Sequence, residues 1–169
     1  MATFWYILIG AIVLFLLSGL KVVNQYERGV KFNFGKFVGV MDPGLRLVIP
    51  VIQSWNRVDM RVKAVDVPEQ ESITKDNVTV GINAVIYYKV TNSMKAIIEV
   101  EHYNYAVSQL AQTTMRNIVG EVDLDELLSN RDKISAQIRE IIDKATDPWG
   151  IKVDAVELKD VMLANDMKR

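Results

Sequence analysis

The sequence predicts an α+β protein in which strands come first, helices follow and one strand closes the chain. Three observations support this class. Apolar and polar residues alternate from Val78 to Val90, apolar residues recur at spacings of three and four between Tyr103 and Ala145, and a β-prone run follows at Ile151–Val161. Period two is typical of strands and period 3.6 of helices, so we expect a mostly antiparallel sheet with the helices segregated to one side.

The segment before Val78 is predicted to form several short strands separated by turn signals. Asp42-Pro43-Gly44 is such a signal, because Pro suits the second position of a turn and Gly a following positive φ. Glu27-Arg28-Gly29 is interpreted as a break between two strands, and Leu45–Ile49 as a buried strand that Pro50 closes. The predicted strands are Val22–Tyr26, Val30–Phe34, Leu45–Ile49, Trp55–Met60 and Arg61–Val67, the last ending at Pro68.

The clearest strand is Val78–Val90, which alternates over its whole length and therefore indicates a sheet with one buried face. Lys75-Asp76-Asn77 precedes it and favours a tight turn, since Asp and Asn tolerate left-handed conformations. We therefore expect Glu71–Thr74 to pair with this strand as a hairpin.

The helical part of the chain is bounded by capping signals. Helices are predicted over Met94–Val100, Tyr103–Val119 and Asp123–Leu128, and a further helix from Ser129 to Asp147. Ser129 with Asp132 resembles a capping box at the start of the last helix. One stripe of that helix is apolar and consists of Ile134, Ile138, Ile141, Ile142 and Ala145. Asp147-Pro148 ends it, because the residue before Pro avoids the helical region.

An uncharged hydrophobic run of 17 residues, Phe4–Leu20, stands at the N-terminus. As a helix it is roughly 25 Å long, at the short end for a bilayer core of about 30 Å. We expect residues 1–20 to form a membrane anchor, with Phe4, Trp5, Tyr6, Ile12, Val13 and Leu20 in contact with lipid. A cleaved signal peptide fits poorly, because no Lys or Arg precedes the run and no cleavage site follows it. A spanning helix and a hairpin that bends at Gly10 or Ser18-Gly19 both remain open.

Basic residues follow the hydrophobic run. The positive-inside rule then places the main domain in the cytoplasm, on a cell or inner membrane. Arg28, Lys31, Lys36 and Arg46 are near the run in sequence, and we expect them to contact anionic lipid headgroups, each contributing about 1 kcal/mol near the surface. The alternative is ordinary strand-edge charge.

The sequence offers little catalytic chemistry. It has no cysteine and a single histidine, His102, and its formal net charge of −1 gives no basic field for nucleic acid. Zinc-protease, phosphate-loop, dinucleotide and serine-hydrolase motifs are absent. Serine–lysine catalysis stays formally open, although no serine lies in a nucleophile motif. Asp123, Asp125 and Glu126 are better explained by a helix N-terminus than by a metal. We therefore expect no enzyme activity, no cofactor and no metal site.

Several segments resemble the stomatin/slipin branch of the SPFH, or band 7, superfamily. They are Val22–Val40, Asp42–Ile52, Val65–Val90, Ala106–Ile134 and Ala145–Arg169, and they include the stretches SQLAQTT and ATDPWGI, which are specific to stomatin-like members. The resemblance implies an α+β SPFH domain over residues 21–169, often described as two subdomains.

The resemblance also implies a function without a catalytic site. Such proteins form large homo-oligomers on membranes, organise lipid microdomains and modulate partner membrane proteins. In an alternative role they are regulatory subunits of a membrane protease of the NfeD type or of a membrane AAA+ protease, or they bind a channel. Stomatin-like chains normally continue into a long assembly helix where this sequence reaches Arg169, so we expect either a fragment or a chain that lacks this element. Leu163–Asn165 also departs from the family's usual Leu-Pro.

Overall fold

The computed structural model describes residues 4–6, 9–10, 14 and 18–163. It divides into two compact units, residues 1–60 and 61–169. Unit 1 contributes five described strands, and unit 2 contributes three described strands and all of the described α-helices that follow residue 18. All strand pairs are antiparallel, which confirms the predicted α+β class, but they form three separate sheets rather than one.

Unit 1 consists of a two-stranded ribbon and a three-stranded sheet. Its strands are β1 (Leu20–Val23), β2 (Glu27–Asn33), β3 (Lys36–Met41), β4 (Gly44–Leu47) and β5 (Gln53–Asp59). The ribbon pairs β1 with β4, and the sheet has the order β3-β2-β5. Val23, Met41 and Val48 form a small buried cluster against which Trp55 packs.

The predicted break at Glu27-Arg28-Gly29 was wrong, because these residues begin β2. Gly29 lies opposite Met41 on β3 and Arg57 on β5. A Cβ atom at Gly29 would lie 2.5 Å from Met41 Cε and 3.1 Å from Trp55 Cε3. The glycine is therefore a packing requirement inside the strand rather than a strand end, since two large side chains close over it.

Unit 2 is built on a sheet of the order β6-β7-β8, with β6 at Lys63–Ile73, β7 at Thr79–Val90 and β8 at Ile151–Leu163. The alternation predicted for the central strand is confirmed. Its buried residues are Val80, Ile82, Ala84, Ile86, Tyr88 and Val90. The predicted hairpin is confirmed too, since Ile73 pairs with Thr79. The predicted end at Pro68 was wrong, because β6 continues past this residue with a register irregularity between Val67 and Gln70. Proline has no backbone N–H to donate to the neighbouring strand, and an irregularity of this kind accommodates it within a strand.

The helices of unit 2 lie between β7 and β8 in the chain. They are α1 (Ser93–Ile98), α2 (Tyr103–Glu121), α3 (Leu124–Ser129) and α4 (Arg131–Thr146), followed by a 3₁₀ turn at Asp147–Trp149. Side chains of α2, α3 and α4 share one core with β7 and β8. Of the predicted stripe on α4, Ile134, Ile138 and Ile142 are buried, whereas Ile141 is exposed.

The predicted capping box at Ser129 was wrong. Ser129 is the last residue of α3, and its hydroxyl donates to the Asp125 carbonyl at 2.5 Å. Asn130 occupies the N-cap of α4 and makes no side-chain capping bond. The serine instead bonds back within its own helix, a competing use of hydroxyls that sequence spacing alone does not distinguish.

Candidate functional site

The predicted anchor is only partly covered by the described residues. Phe4, Trp5 and Tyr6 are helical and exposed, while Ile12 and Val13 lie outside the described residues. Within residues 4–6, 9–10, 14 and 18–163, no helix combines the length and apolarity needed to cross a bilayer. Leu20 was predicted as the end of the anchor, but it is the first residue of β1 and pairs with Leu47. The strand starts this early because the chain already pairs at Gly19, whose carbonyl accepts from Val48 N at 2.8 Å.

One end of the three-stranded sheet in unit 1 carries exposed apolar side chains on two turns. Phe34, between β2 and β3, is 81% exposed, and Val51, before β5, is 92% exposed. The two turns are joined by a hydrogen bond from Phe34 N to Ile52 O at 3.0 Å. We call the exposed residues Phe34, Ile49, Val51 and Ile52 the apolar tip.

The backbone holds the apolar tip in strained conformations. Phe34 and Val51 have φ values of 48° and 72°. Positive φ is uncommon outside glycine and costly for a β-branched residue such as valine. The turn that carries Val51 is held by Gln53, whose backbone N donates to Ile49 O at 2.9 Å and whose side-chain Oε1 accepts from Ile49 N at 3.0 Å. The fold thus fixes bulky apolar side chains where they cannot turn into a core.

The β1–β4 ribbon of unit 1 also carries exposed apolar side chains. Leu20 pairs with Leu47 and Val22 with Leu45, and all four side chains are exposed. Cross-strand partners share a face, so these four residues form the ribbon face. The prediction of a buried strand at Leu45–Ile49 was therefore wrong: Val48 is buried, but Leu45 is 66% exposed. Large exposed apolar patches mark interaction surfaces for proteins or membranes.

The structure brings three of the four predicted headgroup-contacting cations together and leaves one apart. Arg28 and Arg46 lie 3.8 and 3.9 Å from the Asp42 carboxylate. Lys31 and Arg46 line a hollow of about 410 Å³ between β3 and β4. Lys36 starts β3 opposite Asn33, beside the apolar tip. The tip itself was missed by sequence reasoning; its signal was a phenylalanine directly before a turn glycine, and valine and isoleucine on both sides of Pro50.

The groups singled out for catalysis remain apart in the structure. His102 is exposed, and its nearest charged neighbour is Glu101 at 3.7 Å. Glu126 is paired with Lys133 at 3.3 Å, as expected for a solvated helix surface. Among the residues that the structure describes, no three His, Asp or Glu side chains are placed to hold a metal ion. These groups define no reaction centre.

Unit 2 has a groove of about 550 Å³ between α4 and β8, lined in part by Arg131, Ser135 and Arg139.

Burial raises the pKa of Tyr88 to about 12, with a smaller contribution from Tyr103, so this phenol stays neutral and donates to Asn104. Tyr88 is thus a buried structural group rather than an acid or base that works near neutral pH.

Fold and surface together define a class of protein: an α+β chain of two units, the first of which presents an apolar surface directly after a hydrophobic N-terminal run. The SPFH domain / Band 7 family model matches residues 21–169. The chain therefore belongs to this family, and it is a stomatin-like member.

Named relatives support this placement. The chain is 52% identical over 158 residues to a stomatin homolog of Pyrococcus abyssi, covering 94% of this chain and 59% of that protein. It is 47% identical over 152 residues to stomatin-4 of Caenorhabditis elegans, covering 89% and 54%. A protein of Archaeoglobus fulgidus is 52% identical over 169 residues, covering 100% and 68%. The chain thus spans little more than half the length of its stomatin relatives.

Proposed function

We propose that this chain is a non-enzymatic, membrane-bound scaffold subunit, with unit 1 lying in the interfacial region of the bilayer. The observation that carries the proposal is the apolar tip together with the ribbon face. The ribbon face begins at Leu20, the last residue of the hydrophobic run Phe4–Leu20. Among the described residues of unit 2, exposed large apolar side chains such as Ile73 and Tyr105 lie on different elements.

The energy available from this surface is sufficient for interfacial binding. Full burial of a Val, Leu, Ile or Phe side chain contributes about 1.5–3 kcal/mol. Phe34 and Val51 are almost fully exposed, so contact with lipid removes most of their apolar area from water. Lys36 beside the tip adds attraction to anionic headgroups, about 1 kcal/mol for a lysine near the surface.

The scaffold role follows from confinement to two dimensions. An anchored subunit meets its neighbours at a high effective concentration, so weak lateral contacts suffice for homo-oligomers. Such assemblies would organise lipid microdomains and modulate partner membrane proteins in a cell or inner membrane, with the main domain in the cytoplasm. A native-mass measurement of the full-length protein in mild detergent tests assembly, and a monomer at all concentrations would contradict it.

The membrane contact can be tested residue by residue, because the chain has no cysteine and a single introduced thiol labels one site. A spin label at Val51→Cys is placed in anionic vesicles, and its collisions with oxygen and with a water-soluble nickel complex are compared. Since oxygen concentrates in lipid and the nickel complex in water, we expect oxygen to dominate at Val51. The matched control is Ile73→Cys, another exposed apolar site but in unit 2.

The label at Ile73 shows how an exposed apolar site outside unit 1 responds to the two collision reagents. We expect the nickel complex to dominate at Ile73, which is 56% exposed. If the labels at Val51 and Ile73 are equally accessible to nickel, unit 1 does not lie in the interface and the proposal fails.

A further inference from the structure

The hollow between β3 and β4 of unit 1 combines cations, open space and apolar walls. Lys31 on β2 and Arg46 on β4 line it, together with residues 38–41 of β3, Asp42 and Leu47. Its volume of about 410 Å³ exceeds what the phosphate head of a small ligand needs. Both charge and shape therefore indicate a ligand.

The charges around the hollow favour an anion. Lys31 is half-buried, and within the described part of the chain it has neither an ion-pair nor a hydrogen-bond partner. Arg46 is oriented by Asp42, to whose carbonyl its Nε donates at 3.1 Å. The Asp42 carboxylate is shared between Arg46 and Arg28. Asp42 also lines the hollow, but its carboxylate pairs with the two arginines and not with Lys31, whose positive charge is left for an incoming anion.

Gly39 keeps the space beside Lys31 open. It lies directly opposite Lys31 on the neighbouring strand, and a Cβ atom at Gly39 would meet no atom within 4 Å. A larger side chain would enter this space without a clash, because no atom is near. It would also leave the backbone unstrained, because Gly39 does not have a positive φ. The position therefore offers a way to fill the hollow without changing its charge.

The walls of the hollow are continuous with the apolar surface of unit 1. Leu47 lines it and is exposed. Leu47 also belongs to the ribbon face and pairs with Leu20, where the hydrophobic run ends. A ligand that carries an anionic head and an apolar tail would match both parts of this site.

We infer that the hollow binds the phosphate group of an anionic phospholipid, with Lys31 and Arg46 on the phosphate and the acyl chains toward Leu47 and the ribbon face. The inference rests on the proposed membrane function, because that function brings the hollow to the lipid. Charge-assisted bonds from lysine and arginine to phosphate are strong, and arginine offers a planar pair of donors. The site would make unit 1 select anionic lipid rather than merely contact a bilayer.

Binding of short-chain lipids to the full-length protein in zwitterionic detergent tests this inference. The probes are dioctanoyl phosphatidic acid, dioctanoyl phosphatidylcholine and glycerol phosphate, and native mass spectrometry measures occupancy. We expect phosphatidic acid to bind most tightly. Lys31→Gln should weaken it about tenfold, the effect of one charge-assisted bond to phosphate. Gly39→Leu should weaken it at least as much by filling the hollow, and Lys31→Arg should restore it.

Lys75→Gln is the matched control, because it removes the same charge from an exposed lysine of unit 2, outside the hollow and the apolar surface of unit 1. We expect it to change the affinity by less than about twofold, as for exposed surface charges. An equal loss from Lys75→Gln and Lys31→Gln would overturn the site in favour of diffuse attraction. Equal affinity for phosphatidic acid and phosphatidylcholine would overturn it as well. Equal affinity for glycerol phosphate would support the phosphate site but overturn its assignment to a lipid.

Two further measurements keep the outcomes separate. Near-ultraviolet circular dichroism reports whether each variant is folded, and Gly39→Ala provides a smaller substitution if Gly39→Leu is not. Flotation with zwitterionic vesicles reports membrane attachment alone. A chain that floats but shows no selectivity for phosphatidic acid defeats this inference and leaves the proposed function standing, whereas a chain that fails to float defeats the proposed function itself.

Discussion

Replacing Gly150 by alanine should strongly destabilise unit 2. Gly150 follows the 3₁₀ turn and has a φ of 69°, a conformation that costs an L-residue about 1–2 kcal/mol. A Cβ atom there would lie 2.7 Å from both the Cβ and the backbone oxygen of Asn92, and 3.0 Å from Lys95 Cβ. Backbone atoms do not move aside as a flexible side chain does, so overpacking adds about 1–3 kcal/mol. The expected loss in the free energy of unfolding is about 2–5 kcal/mol.

The same residue joins the helices to the sheet, so relaxation is difficult. The Gly150 carbonyl accepts hydrogen bonds from Thr91 N at 2.8 Å, from Asn92 N at 3.0 Å and from Thr91 Oγ1 at 3.0 Å. A shift that relieves the clash would lengthen these bonds, each contributing about 1 kcal/mol.

The assay is urea unfolding of the full-length protein in mild detergent, followed by circular dichroism. Gly35→Ala is the matched control, because Gly35 also has a positive φ, 81°, but a Cβ there meets nothing within 4 Å. It should cost only the conformational penalty, about 1 kcal/mol. Equal losses for Gly150→Ala and Gly35→Ala would show that the clash with Asn92 contributes nothing and would refute the reasoning.

Three other outcomes are expected. Gly29→Ala should lower the free energy of unfolding of unit 1 by about 1 kcal/mol, at the low end for overpacking, because its Cβ would displace the flexible end of the buried Met41 side chain and approach the Trp55 ring at 3.1 Å; an unchanged urea midpoint would contradict this. The raised pKa of Tyr88, about 12, means that the folded state holds this proton more tightly than the unfolded chain, so its contribution is complete below about pH 10 and is lost as pH rises toward 12. In Tyr88→Phe the free energy of unfolding should therefore fall less steeply between those pH values. Identical slopes for the variant and the unchanged protein would contradict a contribution from Tyr88. Val51→Asp should lift unit 1 out of the interface by placing a charge there, so that a spin label at Phe34→Cys becomes more accessible to the nickel complex, whereas Ile73→Asp should leave this accessibility unchanged; equal accessibility in the two variants would count against the apolar tip.

Sequence patterns predicted those elements whose pattern is set by one buried face. The alternation of Val78–Val90 and the spacing of Ile134, Ile138 and Ile142 report burial directly, and the structure confirms both. The patterns failed where a tertiary partner changes the meaning of a residue. Gly29 resembles a strand break but gives room to Met41, and Pro68 resembles a strand end but lies in the irregular part of β6.

The sequence predicted the basic residues of the candidate site but not its exposed apolar residues. Lys31 and Arg46 were singled out because they follow the hydrophobic run, and the structure places them on one hollow. Leu45 was assigned to a core, since an apolar run carries no sign of which partner covers it. Phe34 was predicted to end the strand Val30–Phe34, but it lies in the turn after Asn33, and its place in the site comes from the hydrogen bond that joins this turn to that of Val51.

The two units differ in how far they can stabilise themselves, and this difference bears on function. Unit 2 buries side chains from three strands and three helices in one large cluster, whereas the described residues of unit 1 form a small cluster around Val23, Met41 and Val48, with Val30 and Val58 also buried. A small core gives a marginal fold, and the strained tip residues reduce its margin further. A surface that binds only the folded form raises its stability by mass action. Lipid contact at the apolar tip would therefore also hold the hollow around Lys31 in shape, so that attachment to the membrane and selection of its lipids become parts of one equilibrium.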